Sequence, residues 1–163
     1  MSNNKKPKIY TRKTKKTYFS REKKHNFLKN WRVVRYYIKH KYDISSTELE
    51  LLLYLYDSDI FTKKEFIRFS NTINWQKSKF ADMIEIGYIR QWRERQGREA
   101  ALYELTKKAK MICNQTYKKL TGEEVISEDK YQNTIFKGEN FQDKIYRKLI
   151  EKMNQKTKES LYK

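Results

Sequence analysis

The chain has 163 residues, the size of one ordinary domain with some length left over for terminal arms. Its net charge of +18 and its pI near 9.8 are extreme for a soluble domain and call for a polyanionic partner, either nucleic acid or an anionic membrane surface. The sequence holds no run of about 18 apolar residues and no apolar segment after its basic N-terminus, so we expect neither a membrane span nor a secretory signal.

The few sulfur and imidazole side chains limit redox and metal chemistry. Cys113 is the only cysteine, so an intrachain disulfide is impossible and a reducing interior is expected. His25 and His40 lie far from Cys113 in sequence, without the paired spacing of zinc ligands, so we expect no metal and no cofactor. Hydrophobic residues make up 37%, but 13 Tyr, 8 Phe and 3 Trp are enough for a modest core.

Most of the positive charge belongs to the N-terminal end. Residues 1–42 contain 15 Lys or Arg and one acidic residue, Glu22, and therefore carry +14, which leaves +4 for the rest of the chain. Residues 1–19 show neither a period of 2 nor one of 3.6, which predicts a basic flexible arm that we place at residues 1–24. A solubilising tail is the alternative. Interleaved aromatic residues favour contact with a partner, and the candidate DNA-binding residues of the arm are Lys13, Lys15 and Lys16.

Three helices are predicted before residue 75. Ser20 begins the first, which ends at Asp43 and has an apolar stripe of Phe27, Trp31, Val34, Ile38 and Tyr42. The second begins with a capping box of Ser45 and Glu48 and ends near residues 57–59; its apolar residues are Leu49, Leu52, Leu53 and Tyr56. The third begins with a capping box of Thr62 and Glu65, with Phe66, Ile67 and Phe69 inward, and is followed by a turn marked by Ser70, Asn71 and Asn74.

A fourth helix and a hairpin follow. The helix is predicted over residues 75–86, with Phe80, Met83 and Ile84 inward, and Gly87 closes it in the left-handed conformation. Two strands, residues 88–95 and 100–105, flank a turn at Gln96 and Gly97. The turn carries or adjoins four cations, Arg90, Arg93, Arg95 and Arg98, with Glu94 and Glu99 as the opposing charges.

Two further helices complete the chain. Thr106 caps the first and Gly122 ends it; its predicted apolar face is Ala109, Ile112, Cys113, Tyr117 and Leu120. Residues 123–138 have no clear pattern. Asn140 and Asp143 begin the last helix, with Phe141, Ile145, Tyr146, Leu149, Ile150 and Met153 as its apolar set, and the polar tail from Asn154 is expected to fray.

This order predicts a mainly α fold with a small β-hairpin: a winged helix-turn-helix with extra N- and C-terminal helices. We expect a basic arm at residues 1–24, a winged-helix domain with its N-terminal helix at residues 25–122, and a C-terminal linker and helix at residues 123–163. The last segment is a candidate dimerisation element. The terminal helices either cover the core of one copy or pair with each other and with a second copy.

The same segments resemble the MarR family of winged-helix regulators over residues 27–121. Residues 49–56 resemble the helix before the DNA-reading pair, and residues 62–69 the first helix of that pair. Residues 75–89 resemble the recognition helix with its Gly-Tyr-Ile exit, and residues 93–106 the wing with its Leu-Thr end. The resemblance implies duplex DNA binding and a homodimer formed through the terminal helices. Two features depart from the family: the wing tip is short, and the long basic arm is atypical.

The candidate DNA-binding residues outside the arm fall into two groups. On the recognition helix, Gln76, Lys77 and Lys79 have side chains suited to base edges or phosphates. On the wing, the four arginines suit the minor groove or flanking phosphates. A merely solvated helix face and an ordinary soluble hairpin are the respective alternatives.

Catalysis finds little support in the sequence. The carboxylate pairs in turns lack a companion His or a metal-ligand set, and neither a P-loop nor a Gly-x-Ser-x-Gly motif occurs. Cys113 lies on an apolar helix face, so a packed thiol is predicted rather than a nucleophile. We therefore expect a protein without enzyme activity.

The sequence predicts a double-stranded DNA-binding protein that regulates transcription in the cytoplasm, associated with the nucleoid. Its small size and its Lys-, Asn-, Ile- and Tyr-rich composition would suit a bacteriophage gene product. One alternative is a virion-associated or polymerase-associated assembly protein that docks through the winged helix to a viral or polymerase partner. The other is an RNA-binding protein whose arm aromatics stack on unpaired bases.

Overall fold

The structure, a computed structural model, describes residues 27–72 and 79–161, which are mainly helical and include a three-stranded antiparallel sheet. This confirms the predicted mainly α composition. The elements in chain order are α1 (Phe27–Tyr42), α2 (Ser46–Tyr56), β1 (Phe61–Thr62), α3 (Lys63–Thr72), α4 (Lys79–Glu85), β2 (Ile89–Arg93), β3 (Leu102–Leu105), α5 (Lys107–Thr121), α6 (Thr134–Lys137) and α7 (Phe141–Leu161). The predicted arm, with Lys13, Lys15 and Lys16, and the predicted readers Gln76 and Lys77 lie outside the described residues.

Both predicted capping boxes are present. The backbone N of Glu48 donates to Ser45 Oγ at 3.2 Å, and the backbone N of Ser45 donates to Glu48 Oε2 at 2.8 Å. Thr62 and Glu65 make the same reciprocal pair at 3.3 and 2.6 Å. Because these bonds satisfy backbone donors that a helix start leaves open, they set where α2 and α3 begin.

The sheet has the order β1-β3-β2, with β3 in the middle. Strand β1 was missed in the sequence because it has two residues, too few for any alternation. Phe61 pairs with Tyr103 and Thr62 with Leu102, so the short strand ties the start of α3 to the hairpin.

The core is formed by α1, α2 and α5 together with the inner face of the sheet. Helix α2 is buried on more sides than its predicted stripe, because Leu51 and Leu55 are buried together with Leu49 and Leu52. Cys113 is buried, as predicted, and burial raises the pKa of its thiol to about 12. Across residues 27–72 and 79–161, no helix has both the length and the apolar character needed to cross a membrane.

Several predicted inward positions are wrong. Phe27, Ile84 and Tyr117 are exposed, and so are three members of the α7 set: Phe141, Ile145 and Leu149. In α5, Thr116 is buried beside the position expected for Tyr117, because its hydroxyl bonds to the carbonyl of Ile112 at 2.7 Å. A polar side chain that hydrogen-bonds to its own helix can be buried, and an apolar pattern then predicts burial of the wrong neighbour.

Helix α3 continues through part of the predicted turn. Ser70 and Asn71 lie within it, and Ser70 is buried with its hydroxyl donating to the carbonyl of Phe66 at 2.9 Å. Serine is common in turns, but a serine hydroxyl that bonds to a carbonyl of its own helix is compatible with the helix interior. The prediction of a turn at Ser70 from residue type was therefore wrong. Asn74, the third predicted turn residue, lies outside the described residues.

The predicted fraying after Asn154 is also wrong, because α7 runs to Leu161 and Asn154 is buried. The Asn154 side chain accepts from the backbone N of Ile126 at 2.9 Å and donates to its carbonyl at 2.7 Å. It thereby fastens the irregular segment after α5 to α7, and this segment contributes Ile126, Ile135 and Phe136 to the core.

The start of α7 is held against α1 by a buried carboxylate. Asn140 Oδ1 accepts from the backbone N of Asp143 at 2.6 Å, and Asp143 Oδ1 accepts from the Tyr36 hydroxyl at 2.8 Å. Burial and this carboxylate raise the pKa of Tyr36 to about 12. The Tyr36 ring also stacks on Tyr146 at 3.7 Å between centroids, so α7 is an integral part of the fold.

Replacing Asn154 by Ala should lower the free energy of unfolding by about 2–4 kcal/mol, because it leaves the buried backbone N–H and C=O of Ile126 without partners. Urea unfolding followed by circular dichroism measures the change. Lys156→Ala, on an exposed position of the same helix, is the matched control and should change stability little. Equal stability of the two variants would contradict the role given to Asn154.

Candidate nucleic-acid interface

Phe80 joins helix α4 to its neighbours on both sides. Its ring makes edge-to-face contacts with Phe66 of α3 and with Tyr103 of β3, each at 4.8 Å between centroids. Such aromatic pairs contribute about 0.5–1.5 kcal/mol each beyond the area that they bury. A single buried side chain thus contacts both α3 and the hairpin and helps to set the position of α4 relative to them.

The exit from α4 is held by backbone hydrogen bonds. Gly87 has φ of +81°, the left-handed conformation predicted for it, and the backbone N of Tyr88 donates to the carbonyl of Met83 at 2.9 Å. Thr106 Oγ1 then donates to the carbonyl of Gly87 at 2.7 Å, and its backbone N donates to the carbonyl of Tyr88 at 2.9 Å. These bonds fix the base of the hairpin to the start of α5, which Thr106 caps as predicted.

The hairpin tip turns at Gly97 and Arg98, one residue later than predicted. Gln96 and Glu99 pair across the tip with backbone N···O distances of 3.3 and 2.9 Å. Gly97 has φ of +57°, and Arg98 is not among the positive-φ residues, a combination typical of a type II′ turn. The two-residue turn makes the tip tight and places Arg98 at its apex.

The four predicted wing arginines fall into two pairs with different electrostatics. Arg90 bonds to Glu104 and Arg93 to Glu99, each at 2.7 Å, so an acidic partner neutralises both. The Arg95 side chain bonds to the carbonyl of Gly97 at 3.2 Å, and no acidic partner for it is found within residues 27–72 and 79–161. Among the described residues, Arg98 has no acidic partner either. In the part of the chain that the structure describes, the two cations at the tip thus have no carboxylate that competes with an anion, whereas Arg90 and Arg93 each have one.

The predicted reader Lys79 lies at the start of α4 as that helix is described. It is partly exposed and pairs with Asp82, one turn away, at 3.3 Å. An exposed pair of this kind is worth about 0–1 kcal/mol, so an incoming phosphate could readily compete for the lysine.

Helix α3 adds cations that sequence reasoning missed. Lys63 lies over the Phe80 ring at 5.5 Å, beside the start of α4. Lys64 and Arg68 are four residues apart, share an exposed face of α3 and have no acidic partner within the described residues. Their spacing is visible in the sequence, but every surface helix has a polar face, so the spacing alone does not mark this one as functional.

Trp92 is the second feature that sequence reasoning missed. It lies in β2 at a register irregularity and is 54% exposed. A bulge of this kind depends on how two strands pair, and neither strand alone shows it in the sequence.

Glu124, one of the carboxylates in the turn after α5, has a structural role. Glu124 bonds to Lys118 at 3.0 Å and to Lys119 at 3.1 Å, and these hydrogen bonds lower the pKa of Glu124. Within residues 27–72 and 79–161, no group of three His, Cys, Asp or Glu side chains could hold a metal ion.

Models of known families, curated proteins and solved structures were all compared with this chain, and none of them matches it.

Proposed function

We propose that this chain is a winged-helix protein that binds double-stranded DNA. The observation that carries the proposal is the packed connection, through Phe80, between α4 and a hairpin whose tip presents Arg95 and Arg98 without acidic partners in the described part of the chain. A helix and a basic hairpin held in one fixed relation suit the major groove and the adjoining backbone of a duplex.

The order of the elements supports the winged-helix assignment. Helix α2, strand β1, helices α3 and α4, and the hairpin of β2 and β3 follow one another, and the sheet order is β1-β3-β2. In the proposed arrangement, α4 belongs to the reading helix, the hairpin is the wing, and α1, α6 and α7 are additions. The MarR resemblance, a role in transcription and a cytoplasmic, nucleoid-associated location remain parts of the proposal.

The charge distribution supports a phosphate-dominated interaction. Four cations on α3 and at the tip have no acidic partner among the residues that the structure describes: Lys64, Arg68, Arg95 and Arg98. The basic residues 1–24 add to this charge. If about six to ten phosphates are neutralised, affinity falls by roughly 10³–10⁵ between 50 and 200 mM salt. Because few side chains remain to read bases, we propose modest sequence preference for each copy.

A homodimer through α7 is part of the same proposal. The buried side of this helix covers its own core through Ile150 and Met153, whereas Phe141, Ile145 and Leu149, four residues apart, form an exposed apolar stripe. A second copy of the stripe would remove this apolar surface from water and place two DNA-binding surfaces in one particle.

Replacing Arg95 and Arg98 together by Ala should weaken duplex DNA binding and lower the slope of log affinity against log salt by about two, since two phosphate contacts are lost. Fluorescence anisotropy with a labelled duplex over a salt series measures both quantities. The matched control is Lys130→Ala with Lys137→Ala, at exposed positions between α5 and α7, which removes the same charge away from both the hairpin and the α7 stripe.

The wild-type protein should prefer duplex DNA to single-stranded DNA and duplex RNA. Equal binding to all three polymers would instead favour non-specific packaging, and preference for RNA would favour the RNA-binding alternative. No binding at moderate salt would contradict the proposal and favour a protein-docking role in assembly. An equal loss of affinity in the hairpin and control variants would mean that the wing contributes only its net charge to DNA binding.

Ile145→Lys should convert a dimer into a monomer, because it places a charge in the middle of the exposed stripe on α7. Sedimentation velocity measures the mass. Gln132→Lys adds the same charge at an exposed position outside α7 and should leave the dimer intact. A wild-type protein that sediments as a monomer at every concentration would contradict the dimer proposal without affecting DNA binding by a single copy.

A further inference from the structure

Trp92 is the one residue of β2 without a partner on β3. The pairing passes from Gln91 with Tyr103 directly to Arg93 with Leu102, which leaves Trp92 as the extra residue of a bulge. The side chain is 54% exposed. It takes part in none of the ring contacts or hydrogen bonds found among the described residues.

The fold makes little use of this indole. The packed face of the hairpin is supplied by Ile89 and Leu105, which are buried, and by Tyr103, whose ring contacts Phe80. Trp92 contributes the largest apolar side chain of the hairpin and leaves about half of it in water. Bulges commonly redirect a side chain at a functional site, and a redirected, solvent-facing Trp calls for a ligand with a flat apolar surface.

The cations at the tip favour an anionic ligand for Trp92. On either side of it in the chain, Arg90 and Arg93 pair with Glu104 and Glu99 and therefore add little net charge. Between the bulge and the tip, the opposing residues are Ala100 and Ala101, whose methyl groups cover little area. Beyond them lie the tip cations Arg95 and Arg98.

We propose that Trp92 stacks on an unpaired base next to a duplex, while Arg95 and Arg98 contact the phosphates of the same strand. The proposal rests on the proposed function and deepens it, since it names the kind of DNA that the wing prefers: a duplex that adjoins a single-stranded segment. An unpaired base is required because a base inside a duplex already has both faces covered by its neighbours. Aromatic side chains next to cations are the usual means of holding single strands.

The test compares two labelled DNAs, a blunt duplex and the same duplex with a short single-stranded overhang. One stacked base should make the wild-type protein bind the overhang DNA about 5- to 150-fold more tightly than the blunt duplex. Trp92→Leu should abolish this difference and leave blunt-duplex affinity unchanged. Trp92→Phe should retain most of the difference, because Phe keeps a planar aromatic face where Leu has none.

A second measurement follows the indole itself. Adding overhang DNA should quench part of the tryptophan fluorescence of the wild-type protein, and this part should be missing in Trp92→Phe. Trp31 and Trp75, the other two tryptophans of the chain, remain in both proteins and cancel in the comparison. Thermal unfolding by circular dichroism should be alike for all three proteins, because the exposed indole contributes little to packing.

The outcomes separate this inference from the proposal that it rests on. Wild-type protein that binds both DNAs equally well, or Trp92→Leu that keeps the preference for overhang DNA, would overturn the stacking role and leave duplex binding intact. Binding of overhang DNA through Trp92 without any binding of the blunt duplex would support stacking and overturn the proposed function. A Trp92→Leu variant that changes only the sedimentation of the protein would assign the indole to self-association and overturn the inference.

Discussion

The contacts of Phe80 are the constraint on which the rest of the proposed interface depends. Its ring meets Phe66 and Tyr103 edge to face, so α3, α4 and β3 share one anchor. The described part of α4 has only seven residues, too few to be stable as an isolated helix. Its position must therefore come from tertiary packing, and Phe80 and Met83 are its two buried residues. A protein that reads a duplex with a short helix needs this kind of anchor, since a cation held on a mobile element contacts no particular phosphate.

Local ion pairing divides the positive charge into two kinds. Arg90 and Arg93 are bound to carboxylates of the same hairpin and contribute shape and rigidity more than net charge. Arg95 and Arg98 lie at the tip and keep their charge available, as does Arg68 on α3. A count of basic residues treats all five alike. Within the hairpin, the cations that lack a carboxylate partner among the described residues are thus at its end and not along its length.

How far sequence reasoning reached depends on how local each signal is. The capping box at Ser45 and the left-handed glycine at Gly87 are set by a few neighbouring residues, and both were predictable. The bulge at Trp92 and the burial of Asn154 depend on segments far away in the chain, so no window of sequence contains them. The predicted inward residues of α7 were partly wrong for a related reason. The sequence shows which residues of α7 are apolar, but not which of its two apolar faces packs against the core. Leu149 lies on the face that it leaves open.

The most direct test of the central claim is the duplex affinity of Phe80→Leu, a variant that keeps every lysine and arginine of the chain. If the edge-to-face contacts position α4 against the hairpin, affinity should fall by about 5- to 150-fold while unfolding stays cooperative, since two aromatic pairs together supply about 1–3 kcal/mol toward that position. Met83→Leu, at the other buried position of α4, should bind the duplex as the wild type does. Unchanged affinity in Phe80→Leu would contradict the account, because charge alone would then be sufficient for binding.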